Sequence, residues 1–431
     1  MQTTGSPLRG LILVAAFRLA GCAPAVDTAA SPDTDETDPR DTDTSMPADP
    51  SFDLRVRDLG FASTYLHHDD GAGWTSLPGD AMAQDGAWQR YTRDVDPEGP
   101  FGSTFTFNDG ASTWYPGGSD NNYRASGRDV WVSDGLMYTH DVIADAPPAD
   151  EFTVLTINLH TYQEAYADAA LDHVVDVIAA VGADLVALQE CAQSKDAVVV
   201  EDHLGVALKS DNMARRIAKR LQERHGLDYA FYWDWHHYGF DTYEEGLAVM
   251  APATSTMRAY GSSWVSTSES VYDALGARKV VYATFDTPHG PVVLASAHLS
   301  WGTDQYAQID RARAVLEGQI TPDVRAAFVA GDFNADSRSG GYTHMTEDGQ
   351  YTDTYVAANG GLTDNGFDDP TTDEGTRIDY VFAYNGTSEG APAAITSQRV
   401  FFDLGGAGHG HASLQRVSDH RGVVVRFSTA R

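Results

Sequence analysis

The chain has 431 residues, 62 of them acidic and 29 basic, for a formal net charge of −33. That is length for two or three domains with a full core. The acid excess opposes loose binding to nucleic acid but leaves metal-assisted phosphate chemistry open, and two cysteines, Cys22 and Cys191, give neither a disulfide framework nor a thiolate zinc site.

At the N-terminus, Leu11-Ile12-Leu13-Val14-Ala15-Ala16-Phe17 is an apolar run preceded by Arg9, too short to span a bilayer. Leu19-Ala20-Gly21-Cys22 follows it. The segment resembles the bacterial lipoprotein signal. The resemblance implies removal of residues 1–21, lipidation of Cys22 and an extracytoplasmic place, on the outer membrane or cell surface or otherwise secreted, with the membrane touched through the anchor alone. Residues 22–51, rich in Asp, Thr, Pro, Ser and Ala, cannot bury enough apolar surface to fold and read as an acidic tether. Cys191, in an apolar stretch, is expected to be a buried free thiol.

Residues 52–137 are rich in Gly, Asp and aromatics, with short alternating runs such as Thr104-Phe105-Thr106-Phe107 and Val130-Trp131-Val132. Turn residues at regular spacing predict a small all-β sandwich. Residues 138–150 form a linker ending in Ala146-Pro147-Pro148-Ala149-Asp150.

From 151 to 431 strands and helices alternate. Phe152–Ile157, Asp184–Leu188, Gly246–Met250, Val280–Phe285, Val292–Ala297, Ala327–Ala330, Ile378–Tyr384 and Gly422–Phe427 read as strands, and Ala165–Val181 and Asn212–His225 as amphipathic helices. Such a series suits one α/β domain with two packed β-sheets.

Polar residues stand at the ends of these strands: Asn158, Glu190, Glu245, His298, Asp332 with Asn334, Asp379, and Asp419 with His420. Alternation along a strand sends Asp332 and Asn334 to the same side. A set of oxygen ligands with two histidines suits hard ions such as Mg²⁺, Mn²⁺ or Ca²⁺. Carboxylate–histidine pairs fix imidazole tautomers for acid–base work. Together they indicate metal-dependent hydrolysis of a phosphate ester.

The motifs Thr156-Ile157-Asn158-Leu159-His160, Leu188-Gln189-Glu190, Glu245-Gly246-Leu247-Ala248-Val249-Met250, Ser296-Ala297-His298-Leu299, Gly331-Asp332-Phe333-Asn334-Ala335-Asp336, Arg377-Ile378-Asp379-Tyr380-Val381-Phe382 and Ser418-Asp419-His420 resemble those of the endonuclease/exonuclease/phosphatase superfamily. The resemblance covers 151–431 and implies two sheets flanked by helices in a four-layer sandwich. It also implies roles: Glu190 as the main metal ligand with Asn158 beside it and Asp419 completing the metal side; Asp332 orienting or deprotonating the attacking water; and Asn334 donating to the phosphoryl oxygens. Asp379 would align His420 and Glu245 would align His298, so that both imidazoles bracket the phosphate. His160 reads as a wall residue. The implied activity is that of a nuclease-like phosphodiesterase. A sphingomyelinase, phospholipase C or phosphomonoesterase activity is the alternative, with nucleic acid or a phospholipid head group as the partner and a monomer as the working unit. A non-catalytic glycan-binding surface protein is the alternative of another class. Arg278-Lys279, Arg311 and Arg313 are the basic candidates near the motifs, and Tyr229–Tyr238 is dense in aromatics.

In the β module, His67, Trp74, Trp114 and Asn122 stand in a pattern that resembles starch-binding carbohydrate-binding modules. By that resemblance the three rings form a platform for an α-glucan, with Asn122 reaching a sugar hydroxyl.

Overall fold

The computed structural model describes residues 51–429 except 58, 70, 72, 87, 96–102, 116–122, 126–128, 134–135, 139–150, 267–274, 362–370, 373–374 and 401–415. The predicted signal, Cys22, the acidic tether up to residue 50, Asn122 and segment 139–150 lie outside the described residues.

The first ten strands are short: β1 (Ser51–Arg57), β2 (Tyr65–Asp69), β3 (Asp80–Ala81), β4 (Ala83–Asp85) and β5 (Trp88–Asp94), then β6 (Ser103–Asn108), β7 (Trp114–Tyr115), β8 (Tyr123–Ala125), β9 (Asp129–Ser133) and β10 (Leu136–Tyr138). They form two sheets, one ordered β10-β9-β1-β5-β4, the other β3-β2-β6-β7 with β8 also on β6. Alternating inward residues of both, among them Leu54, Val56, Phe105, Phe107, Tyr123 and Val130, make one apolar core. Trp88 belongs elsewhere. It meets Trp131 edge to face at 4.9 Å and joins the apolar cluster beneath the first helices of the following α/β fold.

That fold opens with β11 (Glu151–Asn158), α1 (Ala167–Ala180), β12 (Leu185–Gln189), β13 (Gln193–Ser194), the hairpin β14 (Val199–His203) and β15 (Val206–Lys209), and α2 (Met213–His225). There follow β16 (Tyr229–Gly239), β17 (Tyr243–Pro252), β18 (Thr256–Trp264), β19 (Lys279–Thr287), β20 (Gly290–His298), α3 (Gln305–Glu317) and β21 (Ala326–Asp332). The last elements are α4 (Gly340–Thr346), β22 (Tyr351–Asp353), α5 (Thr354–Asn359), β23 (Asp379–Tyr384), β24 (Ala394–Val400) and β25 (Gly422–Ser428). One sheet runs β13-β17-β12-β11-β25-β24 with β16 on β17; the other runs β18-β19-β20-β21-β23-β22. Their facing residues, including Val154, Leu185, Val249, Phe285, Leu294, Phe328, Val381 and Phe427, are buried together. Helices α1 and α2 cover the outer face of the first sheet and α3 that of the second. The result is a four-layer α/β sandwich.

The elements form where the local chemistry favours them. In α2, Met213, Ala214, Ile217 and Leu221 lie on one buried stripe, Asn212 Oδ1 caps the helix by accepting from the Arg215 amide at 3.0 Å, and Gly226 ends it in the left-handed conformation. Cys191 is a buried free thiol. The aromatic run Tyr229–Tyr238 is β16, with Phe231, Tyr232 and Trp233 buried.

Register decides where the polar strand ends fall. β20 and β21 pair in parallel with His298 opposite Asp332, and β21 pairs antiparallel to β23 with Asp332 opposite Asp379. Gly331 makes the first pairing possible: its φ is +138°, and a Cβ there would stand 2.1 Å from the Ala297 carbonyl oxygen. Gly331→Ala is therefore expected to destabilise the fold by about 2–3 kcal/mol, read as a lower urea midpoint at unchanged slope.

Candidate active site

Asp332 ends β21, and its Oδ2 is where the site converges. It accepts from Asn158 Nδ2 at 3.2 Å. His298 Nε2 lies 3.6 Å and His420 Nε2 3.8 Å from the same oxygen. Asp332 Oδ1 accepts from the Asn334 amide at 2.8 Å, which tightens the turn after the strand. Burial pushes the Asp332 carboxyl up to about 7, against the pull of His420.

His420 is held from behind. Its Nδ1 meets Asp379 Oδ2 at 2.8 Å, and its backbone amide donates to Ser418 Oγ at 3.0 Å. Burial alone would lower the imidazole, but the charge and hydrogen bond of Asp379, with Asp332 beyond, hold it up at about 10. His420 is therefore an imidazolium at neutral pH, with Nε2–H toward Asp332. Asp379 Oδ1 is buried without a partner.

Glu190 follows β12 in a left-handed conformation, φ +45°. It accepts from Asn158 Nδ2 at 3.0 Å and from Thr161 Oγ1 at 3.1 Å, and Thr161 Oγ1 also reaches Glu245 Oε2 at 3.1 Å. Burial, reinforced by the charges of Glu245 and Asp332, pushes the Glu190 carboxyl up to about 8. No lysine or arginine among the described residues donates to it. A buried carboxylate crowded by two others, with only the more distant charges of His420 and Arg278 against them, fits a divalent ion, which would supply further positive charge.

Several strand-end residues also have protein partners that the sequence did not show. Asn158 presents its amide nitrogen to Glu190 and Asp332, its oxygen accepting from the His160 amide at 3.0 Å. It thus ties two carboxylates together, with one lone pair of its oxygen taken by the His160 amide. Asn334 donates through Nδ2 to the Leu299 carbonyl at 2.8 Å, so that its amide nitrogen holds the loop after His298. Asp419 stands beside His160, Oδ1 to Nδ1 at 3.3 Å, and His160 Nδ1 also lies 2.8 Å from Glu164. The ligand atoms of these three lie within 4.8 Å of one another, close enough to hold a metal ion.

Glu245 lies 3.1 Å from His237 Nε2 but 3.8 Å from His298 Nδ1, so its nearest imidazole is His237. His236 Nδ1 accepts from the Lys279 amide at 3.2 Å, which puts the proton of the neutral ring on Nε2, aimed at Glu245 from 3.7 Å. Burial alone would raise the Glu245 carboxyl, but the two imidazoles hold it well below its ordinary value. Burial, with the nearby Arg278 charge, keeps His298 neutral far below its usual range.

Sequence reasoning did not find Thr161, His236 or His237 as parts of the site. A second sign of function is strain: His160, Thr161 and Tyr162 have φ of 52°, 42° and 60°, and Asn334 of 48°. Non-glycine residues hold such angles only where their surroundings over-determine them. Arg278 and Lys279 are buried, the first 3.9 Å from Glu245 and the second 2.6 Å from Asp234. A cavity of about 1100 Å³, lined by Phe152, His289, Arg325 and Glu389 among others, opens at the far ends of the same strands. It lies roughly 20 Å from the site at six residues per strand.

A four-layer sandwich whose strand ends converge on buried carboxylates and imidazoles has the build of a phosphoester hydrolase. Residues 155–420 match the endonuclease/exonuclease/phosphatase family. The chain belongs to that family, and it is a metal-dependent hydrolase of phosphate-ester bonds. Among solved structures it is similar to an endonuclease/exonuclease/phosphatase family protein from Leptotrichia buccalis, 22% identical, covering 64% of this chain and 99% of that one with a TM-score of 0.53. An endonuclease/exonuclease/phosphatase from Beutenbergia cavernae is 21% identical over 65% of this chain and 72% of that one, TM-score 0.45. A mannosyl-6-phosphatase from Bacteroides thetaiotaomicron is 16% identical over 64% and 98%, TM-score 0.44. Identities this low speak to the fold alone. No curated protein matches the chain.

Proposed function

We propose that this chain hydrolyses a phosphodiester by in-line attack of an activated water, with Mg²⁺ (or Mn²⁺ or Ca²⁺) as its metal, outside the cytoplasm. The observation that carries the reading is the convergence of Asn158, His298 and His420 on Asp332 Oδ2, with Glu190 on the other side of Asn158. A hard divalent ion at Glu190, when bound, supplies positive charge to the phosphoryl oxygens.

The protein's own groups do the rest. Asp332, with a carboxyl near neutrality, takes a proton from the attacking water as the new O–P bond forms. The bond from phosphorus to the leaving oxygen breaks, and the His420 imidazolium, kept charged by Asp379, provides the proton that oxygen needs. Neutral His298 flanks the same space. A diester carries one negative charge where a monoester carries about two, which suits a site already crowded by Glu190, Glu245 and Asp332.

For the β module the reading is α-glucan binding. Its support is an aromatic cluster in which His67 stacks on Trp74 at 4.8 Å and meets Trp114 edge to face at 5.6 Å, while Trp74 remains 43% exposed. Cys22 would carry the lipid anchor.

The test uses the full chain. Mg²⁺-dependent release of p-nitrophenolate from bis-p-nitrophenyl phosphate, abolished by a chelator and by His420→Ala, is the expected result. Absence of metal-dependent hydrolysis of any phosphodiester would sink the reading. On the glucan side, amylose in a native gel should retard the wild type and not Trp74→Ala. Equal mobility of the two would remove that function.

A further inference from the structure

Two large aromatic side chains stand exposed on turns that follow site residues in the chain, Phe240 after His237 and Trp301 after His298. Phe240 tops the β16–β17 turn, just beyond the rung that pairs His237 with Glu245. It is 55% exposed, and its ring lies 6.2 Å from that of His160, edge on. Its φ is +51° and that of Asp241 is +55°, a conformation that turns of this kind normally give to Asn and Gly. A phenylalanine kept there, strained and facing solvent, contributes nothing to the core.

Trp301, 67% exposed, lies three residues beyond His298 on a loop that is firmly held. The Leu299 amide donates to the Asp332 carbonyl at 2.9 Å, and the Leu299 carbonyl accepts from Asn334 at 2.8 Å. The Ser300 amide donates to Gln308 Oε1 at 2.8 Å, and its carbonyl accepts from Gln305 at 3.2 Å. The Trp301 Cα therefore lies within roughly 10 Å of the His298 Cα on a fixed backbone.

Most cations of this domain are already committed to carboxylates or carbonyls, leaving single charges near the site: Lys195, whose Nζ donates to the Asp241 carbonyl at 3.1 Å beside Phe240, and exposed Arg338, four residues beyond Asn334. Arg278 and Lys279 are buried against Glu245 and Asp234. Arg311 donates to the Ser266 carbonyl at 2.5 Å, Arg313 to Asp348, Arg377 to buried Asp353 at 2.6 Å and Arg416 to Glu164 at 2.8 Å. The residues of this domain outside the described ones, 267–274, 362–370, 373–374, 401–415 and 430–431, contain one arginine, Arg431, against eight acidic residues. Strand binding needs a cationic groove that tracks the backbone.

We infer that the site takes a compact phosphodiester bearing a flat ring next to the scissile phosphate, held against Phe240 and Trp301, in preference to a polynucleotide strand. This rests on the phosphodiesterase reading above. Stacking on the two rings supplies affinity without charge, and the acidic surroundings reject a chain of further phosphates.

Bis-p-nitrophenyl phosphate and methyl p-nitrophenyl phosphate lose the same p-nitrophenolate and differ only in the substituent that stays. In the full chain with Mg²⁺, Phe240→Ala and Trp301→Ala should each lower kcat/KM on the bis-aryl ester about tenfold, through KM, and change the methyl ester by less than about twofold. Phe240→Tyr and Trp301→Phe should recover most of the loss. Wild-type kcat/KM per bond should be alike for a dinucleotide and a strand of about 30 nucleotides, and should be flat between about 50 and about 200 mM salt. Equal losses on both esters, or a steep gain with strand length that salt abolishes, would overturn the inference. If the wild type hydrolyses neither ester nor either oligonucleotide, the phosphodiesterase reading itself has failed.

Discussion

Asp332→Asn is expected to lower kcat by roughly 10³-fold, with little change in KM. The substitution keeps the shape of the side chain and one oxygen, which can go on accepting from the Asn334 amide while the bond from Asn158 to the other oxygen is lost. It removes the carboxylate on which both imidazoles converge and which can take a proton near pH 7. His420 keeps its hydrogen bond to Asp379, so the loss reports on proton removal from water and not on a collapsed imidazole. The folded protein should tolerate the change. Above pH 7 the native carboxylate is ionised against the cost of burial, and the amide carries no such charge, so the variant should melt no lower than wild type. A loss of kcat below about tenfold would place the base elsewhere.

The second expected result concerns stability in the absence of substrate. Glu190 and Asp332 have folded-state pKa values raised to about 8 and about 7, from ordinary values of 4.5 and 3.8. An acid whose pKa is raised on folding contributes stability that is complete below its ordinary value and is lost as pH rises through the folded value. Metal-free protein should therefore lose stability between roughly pH 4 and pH 8 from these two groups. Saturating Mg²⁺ favours the ionised carboxylates and should raise Tm at pH 8 by about 5 °C, and by much less at pH 5. Glu190→Gln should remove both the alkaline loss attributable to that residue and the metal-dependent gain. Calorimetry at the two pH values, with chelator or with Mg²⁺, reads this directly. An equal metal shift at both pH values would show that the crowded carboxylates are not where the ion is held.

Much of this site could be read from the chain because its groups sit where apolar runs end. Val154-Leu155-Thr156-Ile157 makes a strand by composition alone, so Asn158 must emerge at its tip. The same reasoning reaches His298, Asp332 and Asp379. Local sequence does not say what a side chain meets once the sheets have paired. The Glu245 partner could not be chosen, because His237 comes opposite it only through a register shift in the β16–β17 pairing near His237. Thr161 bridges two glutamates from a left-handed turn that no propensity predicts. Arg278 and Lys279 read as basic candidates near the motifs for contacting a strand, but β19 carries Lys279 inward and the adjoining Arg278 is buried beside Glu245. Asn334 and Asp419 were placed correctly along the chain, and only the directions of their hydrogen bonds and ion pairs assign them to loop anchoring and to His160.

The pairing of β20, β21 and β23 sets His298, Asp332 and Asp379 on adjoining positions across three strands. A slip of one residue in either pairing would exchange the side chains that fill the core between the sheets with those packed under α3. The same zipping that closes the hydrophobic interior therefore also aligns the reactive groups. A molecule cannot be well packed and catalytically misaligned across these strands. Alterations that leave the interior intact are confined to the surrounding turns, where Phe240 and Trp301 reside, so substrate preference can drift through the turns while the chemistry stays locked to the core.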